Sequence, residues 1–203
     1  SQNIKSLIIA CNTASAIAYK KLKHSFSIPV FNVIDSCVLN AVNQTKTKHI
    51  AVIGTEATIN AKAYQTKIHA IDCNINIIAK ACPLFVPIVE ENLNQQRFTQ
   101  EISQYYLNEI INSNADVMIL GCTHYPLLLN TIKNVIGSKM KIIDSSIVTA
   151  RYVFKELSKK KLLKNNAIIL KDQFYVSDKP QRFNQLAKIF LNNEFLEVKK
   201  ILL

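Results

Sequence analysis

No stretch of this sequence approaches the roughly 20 consecutive apolar residues that a membrane-spanning helix needs, and no secretory leader pattern is present. The expectation is a soluble, cytoplasmic protein with no membrane partner. Paired cysteines are missing too. Cys11, Cys37, Cys73, Cys82 and Cys122 are odd in number and show no C-x-x-C spacing. They form neither a disulfide framework nor a zinc knuckle, so no metal is expected. Arginine is scarce. The net charge of +11 would suit a nucleic-acid binder, which gains affinity by releasing counterions from phosphates. Yet only Arg97, Arg151 and Arg182 could make bidentate contacts. The remaining positive charge is lysine spread over helix faces, concentrated only at 20–23 and 155–164, as on a solvated surface. Nucleic acid is therefore not an expected partner.

The sequence does hold apolar residues in quantity. With 49% hydrophobic content, 203 residues can bury a substantial core as one large or two small domains. The pattern is organised around 116–128, Asp-Val-Met-Ile-Leu-Gly-Cys-Thr-His-Tyr-Pro-Leu-Leu. The apolar run 117–120 reads as a strand buried on both faces of a parallel sheet, with Gly121 allowing a tight turn after it. Cys122 then stands at the strand's carboxyl end. Pro126 suits the first turn of a helix, so Thr123, His124 and Tyr125 span a short strand-to-helix turn. In open α/β sheets, ligands bind at such turns.

The same plan occurs earlier. Ser-Leu-Ile-Ile-Ala over 6–10 is followed by Cys11-Asn12-Thr13-Ala14-Ser15-Ala16 and an alanine-rich helical stretch to about residue 23. Unpaired cysteine usually packs as a small hydrophobe. Two cysteines with identical flanking order, namely strand, small residue, cysteine, hydroxyl, helix, point instead to a shared chemical task.

The rest of the chain alternates. Further strands are expected at 28–34, 49–53, 74–80, 141–144, 168–170, 174–176 and 195–198. Helices are expected at 37–42 (capped by Asp35), 59–70, 95–113, 147–160 and 181–190, the last opened by Pro180. The turn at 54–58 offers hydroxyls and free N–H groups, a seat for a carboxylate. A proline-broken loop over 82–91 ends in Glu90 and Glu91. This succession implies an α/β fold with mostly parallel sheets, arranged as two Rossmann-like lobes facing one another across a cleft. Residues 1–33 plus 147–203 would form the first lobe and 34–146 the second.

Cys11-Asn12-Thr13-Ala14-Ser15-Ala16 and Gly121-Cys122-Thr123-His124-Tyr125-Pro126-Leu127-Leu128 resemble the two signature motifs of bacterial glutamate racemases. These are cofactor-independent enzymes that supply D-glutamate for peptidoglycan. The stretches 52–58, 86–91 and 174–180 agree in order and character, and the resemblance covers essentially the whole chain. The histidine after Cys122-Thr123 favours glutamate over aspartate racemases.

The resemblance implies a small-molecule substrate, glutamate, and no cofactor, and it leaves monomer and homodimer both open. Inverting an α-carbon without a cofactor requires removing a proton on one face and returning one on the other. Cysteine suits this because its pKa of about 8.5 can be lowered at a helix N-terminus. By resemblance, Cys11 and Cys122 are the two proton carriers, His124 assists Cys122, and Glu90 serves the same side. Asn12, Thr13, Thr58, Thr123 and His124 contact the substrate. Plainer readings stand beside these: Thr13 as a helix cap, Glu90 as a surface acid, His124 as a turn histidine. Cys37, Cys73 and Cys82 read as structural.

One departure lies at the front. Family members carry an Asp-Ser-Gly loop and a Pro-Tyr-Gly turn ahead of the first cysteine motif, and the ten residues before Cys11 contain neither. The first lobe is thus expected to be incomplete at its N-terminus, exposing apolar surface and unpaired backbone groups. Residues 1–203 alone are expected to be weakly active or inactive and less stable than a full-length racemase. Two alternatives follow: an aspartate or broad-specificity racemase, and a non-catalytic remnant acting through binding.

Overall fold

Strands β1 (Leu7–Ile9) and β2 (Val30–Asn32) lie parallel, Leu7 opposite Val30 and Ile9 opposite Asn32, with helix α1 (Asn12–Ser25) crossing between them. They belong to a computed structural model that describes residues 4–164, 172–191 and 197–202. Helix α2 (Val33–Gln44) then leads into a second sheet. Its strands are β3 (His49–Gly54), β4 (Asn76–Ala81), β5 (Val117–Gly121) and β6 (Lys141–Asp144), all parallel, in the order β4-β3-β5-β6. The connections are helical: α3 (Glu56–Asn60), α4 (Ala63–Ile71), α5 (Phe85–Glu90), α6 (Arg97–Ile111), a 3₁₀ turn (Tyr125–Leu128) and α7 (Leu129–Ile136). Helix α8 (Ser145–Lys159) follows β6. The α/β class with parallel sheets is as expected.

The chain divides into two compact units, 1–163 and 164–203. In the second, β7 (Phe174–Val176) and β8 (Val198–Lys200) pair in parallel, and α9 (Pro180–Leu191) connects them in sequence. The strand expected at 168–170 lies outside the described residues. Among the described residues, no helix is long and apolar enough to cross a membrane.

The central strands read as continuous apolar runs because both faces are covered. Alternate residues point to opposite sides. Ala51, Ile53, Met118 and Leu120 join one core with Phe85, Leu107, Ile110 and Tyr125. Ile50, Val52, Val117 and Ile119 join the other with Ile34, Cys37, Tyr64 and Ile68. Each aliphatic side chain so buried contributes roughly 2 kcal/mol.

Local chemistry moved several boundaries. Asn32, not Asp35, caps α2: its side-chain oxygen accepts from the Ile34 and Asp35 N–H groups at 3.0 Å each. Its amide nitrogen donates to Asp35 at 2.6 Å, so the aspartate supports the cap. The helix expected over 59–70 is two helices, broken where Lys62 takes a left-handed conformation with φ 52°. The proline-broken loop contains α5. Pro87 is its third residue, where an N–H has no partner within the helix, so the proline removes no hydrogen bond.

Gly121 serves a different purpose from the expected tight turn. It is still in β5, directly opposite Gly54 of β3. A Cβ there would stand 2.7 Å from the Ile53 carbonyl oxygen. The two strand ends approach closely because residue 121 has no side chain.

Candidate active site

The first cysteine turn begins where β1 ends. Cys11 occupies the N-cap position of α1 with extended backbone (φ −78°, ψ 128°), its side chain exposed. Ser15 pins this turn: its hydroxyl donates to the Ile9 carbonyl at 2.9 Å and accepts from the Val33 N–H at 3.4 Å. Asn12 is buried, and its Oδ1 accepts a 2.6 Å hydrogen bond from the Tyr64 hydroxyl. Thr13 is not a helix cap. Its hydroxyl reaches the Thr55 hydroxyl at 2.9 Å and the Thr58 hydroxyl at 3.0 Å, and those two stand 3.0 Å apart. Three hydroxyls thus form a closed triangle at the carboxyl end of β3. Thr55 also caps α3, accepting from the Thr58 N–H at 3.2 Å.

The second turn follows β5. Cys122 is buried, with its Sγ 3.8 Å from His124 Nδ1. On the far side of the ring, Nε2 faces Glu90 Oε1 at 3.3 Å. Glu90 is the last residue of α5, and Tyr125 holds that helix to the turn. The Tyr125 hydroxyl donates to the Cys82 carbonyl at 2.9 Å, and its ring meets Phe85 edge-on at 5.1 Å. Thr123 is exposed, its hydroxyl 3.3 Å from His124 Nδ1.

A carboxylate can only accept, so Glu90 keeps the histidine proton on Nε2 and leaves the Nδ1 lone pair toward the sulfur. That arrangement can take a proton from a thiol. Burial pushes the Cys122 thiol up to about 11. The His124 backbone N–H, hydrogen bonded to the sulfur, pulls in the opposite direction but does not prevail, and negative charge on Cys11 raises it further. The depressed cysteine pKa expected from a helix start therefore does not hold at Cys122, because burial outweighs the N–H groups. Cys37 and Cys82 are pushed up to about 12, also by burial.

The fold thus gathers the expected residues into two sets: Cys122, Thr123, His124 and Glu90, and Asn12, Thr13 and Thr58 beside Cys11. The electrostatic effect of Cys11 on Cys122 links them. Among the described residues, no group of three or more His, Cys, Asp or Glu side chains could hold a metal ion. Tyr64 went unread in the sequence, whereas Thr55 lay in the 54–58 turn read as a carboxylate seat without being singled out. Thr55 had a signal, since it follows Gly54 as Thr123 follows the Gly121-Cys122 pair. Tyr64 had none, because a tyrosine within a helix reads as core.

Parallel strands delivering cysteine, hydroxyl and amide groups to helix starts define an α/β protein with its chemistry at the carboxyl ends of its strands. Comparison with known proteins narrows the class. Residues 1–153 match the family described as Asp/Glu/Hydantoin racemase. A glutamate racemase of Chlorobium phaeobacteroides is 38% identical over 198 residues, covering 97% of this chain and 73% of that protein. The crystal structure of a glutamate racemase isoform from Bacillus anthracis superposes with a TM-score of 0.92 at 32% identity, covering 98% of this chain and 74% of that one. That of glutamate racemase from Francisella tularensis, in complex with D-glutamate, gives 0.90 at 33%, covering 98% and 73%. The chain belongs to the Asp/Glu/Hydantoin racemase family, among its glutamate racemases, and racemases are isomerases.

Proposed function

We propose that this protein interconverts L- and D-glutamate by proton transfer between two cysteines, without a cofactor, and supplies D-glutamate for peptidoglycan in the cytoplasm, as a monomer or a homodimer. The observation that carries this reading is a cysteine at the carboxyl end of each of two parallel strands, Cys11 after β1 and Cys122 after β5, with His124 and Glu90 behind Cys122. The glutamate racemase of Francisella tularensis, similar throughout this chain, binds D-glutamate, which supports a small-molecule substrate.

In this reading Cys11 takes the α-proton from one face as a thiolate. Cys122, resting as a thiol, returns a proton to the other face. In the reverse direction Cys122 must first become the base, and Cys11, which is exposed, must carry a proton taken from water to return to the other face. His124 Nδ1 accepts the Cys122 proton while Glu90 holds Nε2–H, so the buried thiol is discharged without first exposing it to water. Asn12, the Thr13 and Thr58 hydroxyls, now joined by Thr55, and Thr123 supply donors for the substrate carboxylates. The lobes belong to the same proposal: 1–33 plus 147–203 as the first and 34–146 as the second. The separate β1–β2 pair and four-stranded sheet support that division.

α-Proton exchange in D₂O, followed by NMR from L- and from D-glutamate, tests the reading on residues 1–203 themselves. Weak exchange from both enantiomers, lost in Cys11→Ser and in Cys122→Ser, is the expected outcome. His124→Asn should slow the half-reaction that begins at Cys122 by about 100-fold or more and spare the other. Equal exchange with aspartate would move the specificity to the broader reading. A folded chain showing no exchange would leave binding alone as its role.

A further inference from the structure

We infer that Tyr64 is a positioning residue joining the two cysteine turns: its hydroxyl sets the amide plane of Asn12, next to Cys11, while its ring rests against Gly121, next to Cys122. This inference rests on the racemase reading for its functional consequence, and on three observations for its geometry.

The first is the hydrogen-bond chain. Tyr64 is buried in the first turn of α4, with its hydroxyl 2.6 Å from Asn12 Oδ1. A phenol has one proton. The Tyr64 hydroxyl gives that proton to Asn12, and so it is the amide oxygen, not the nitrogen, that faces the ring.

The second observation is what this orientation leaves over. Asn12 Nδ2 is buried and has no hydrogen-bond partner among the described residues. A buried donor without an acceptor is unfavourable, and an arriving carboxylate oxygen relieves it. Without Tyr64 the amide could turn over and point its oxygen at an anion, which would repel it.

The third is the ring. A Cβ at residue 121 would lie 3.3 Å from Tyr64 Cε2, so the absence of a side chain at Gly121 gives the ring its seat. One side chain therefore touches the residue after Cys11 and the residue before Cys122. A shift of Tyr64 would move both turns relative to a substrate held between them.

Tyr64→Phe keeps the ring and removes the hydroxyl. D-glutamate affinity, measured by calorimetry, should fall by about twofold to tenfold, the range expected for one net hydrogen bond. In an exchange assay KM should rise by more than kcat falls. Asn12→Ala should weaken binding too, and the double variant should be no weaker than Asn12→Ala alone, because the tyrosine acts through the asparagine. Losses that multiply would overturn the proposal, as would a lowered thermal midpoint with unchanged affinity and KM. The Asn12 side-chain amide NMR signal, identified by its loss in Asn12→Ala, gives a readout without substrate. It should shift in Tyr64→Phe, and an unmoved signal also overturns the proposal. A wild-type protein that binds no D-glutamate would sink the racemase reading, while the Asn12 signal would still decide the role of Tyr64.

Discussion

Cysteine reactivity divides along the line drawn by burial. Cys11 and Cys73 are exposed, whereas Cys37, Cys82 and Cys122 are buried. The thiolate is the form that alkylates. Iodoacetamide at pH 8 should therefore label Cys11 and Cys73 first, with peptide mapping by mass spectrometry finding Cys122 protected and its labelling rising as pH approaches 11. Early modification of Cys122 would contradict the buried, protonated thiol. The sequence singled out the two cysteines by their shared flanking order, and His124 by its place in the second motif. It did not reveal the protonation state of Cys122, which depends on how completely the folded chain covers the sulfur. Tyr64 was equally hidden, since its partner Asn12 lies 52 positions away.

At the scale of elements, the facing glycines offer the sharpest test. A methyl at residue 121 would meet the Ile53 backbone oxygen at 2.7 Å, whereas at residue 54 its nearest contacts are at 3.3 Å. Backbone cannot yield as a flexible side chain can. Gly121→Ala should cost about 2–3 kcal/mol and Gly54→Ala clearly less, measured by urea unfolding. Equal costs would mean that the strands separate easily. Strand β6 was legible to the residue, and β5 to within one, because each begins and ends with a change in polarity. Helix boundaries were less so. The cap of α2 fell to Asn32 rather than Asp35 because an asparagine amide can accept from the helix and donate to the aspartate at once. The break at Lys62 left no mark, since lysine does not advertise a left-handed conformation as glycine would.

For the whole molecule, three buried thiols make alkali a selective stress. Cys37 and Cys82 are raised from 9.0 to about 12, and Cys122 from 9.0 to about 11. A group whose pKa is raised by folding keeps its full contribution below the unfolded value. That contribution falls as the unfolded chain ionises while the folded chain does not. Thermal midpoints should hold steady up to about pH 9 and decline between about 9 and 12. Replacing Cys37 by alanine should flatten that decline, provided the variant is compared with its own midpoint at pH 7. The parallel α/β class was readable because strands covered on both faces cannot hide their apolar runs. The pairing order β4-β3-β5-β6 was not, because it is fixed by contacts between residues far apart in sequence.

The triangle of Thr13, Thr55 and Thr58 hydroxyls carries one more consequence. Three hydroxyls joined in a ring can pass their hydrogens around in either sense, or release one outward, without moving a heavy atom. They behave as a fragment of solvent frozen into the protein. A carboxylate arriving there would find its hydration shell already assembled, with the disorder of those groups surrendered when the chain folded and not at the moment of binding.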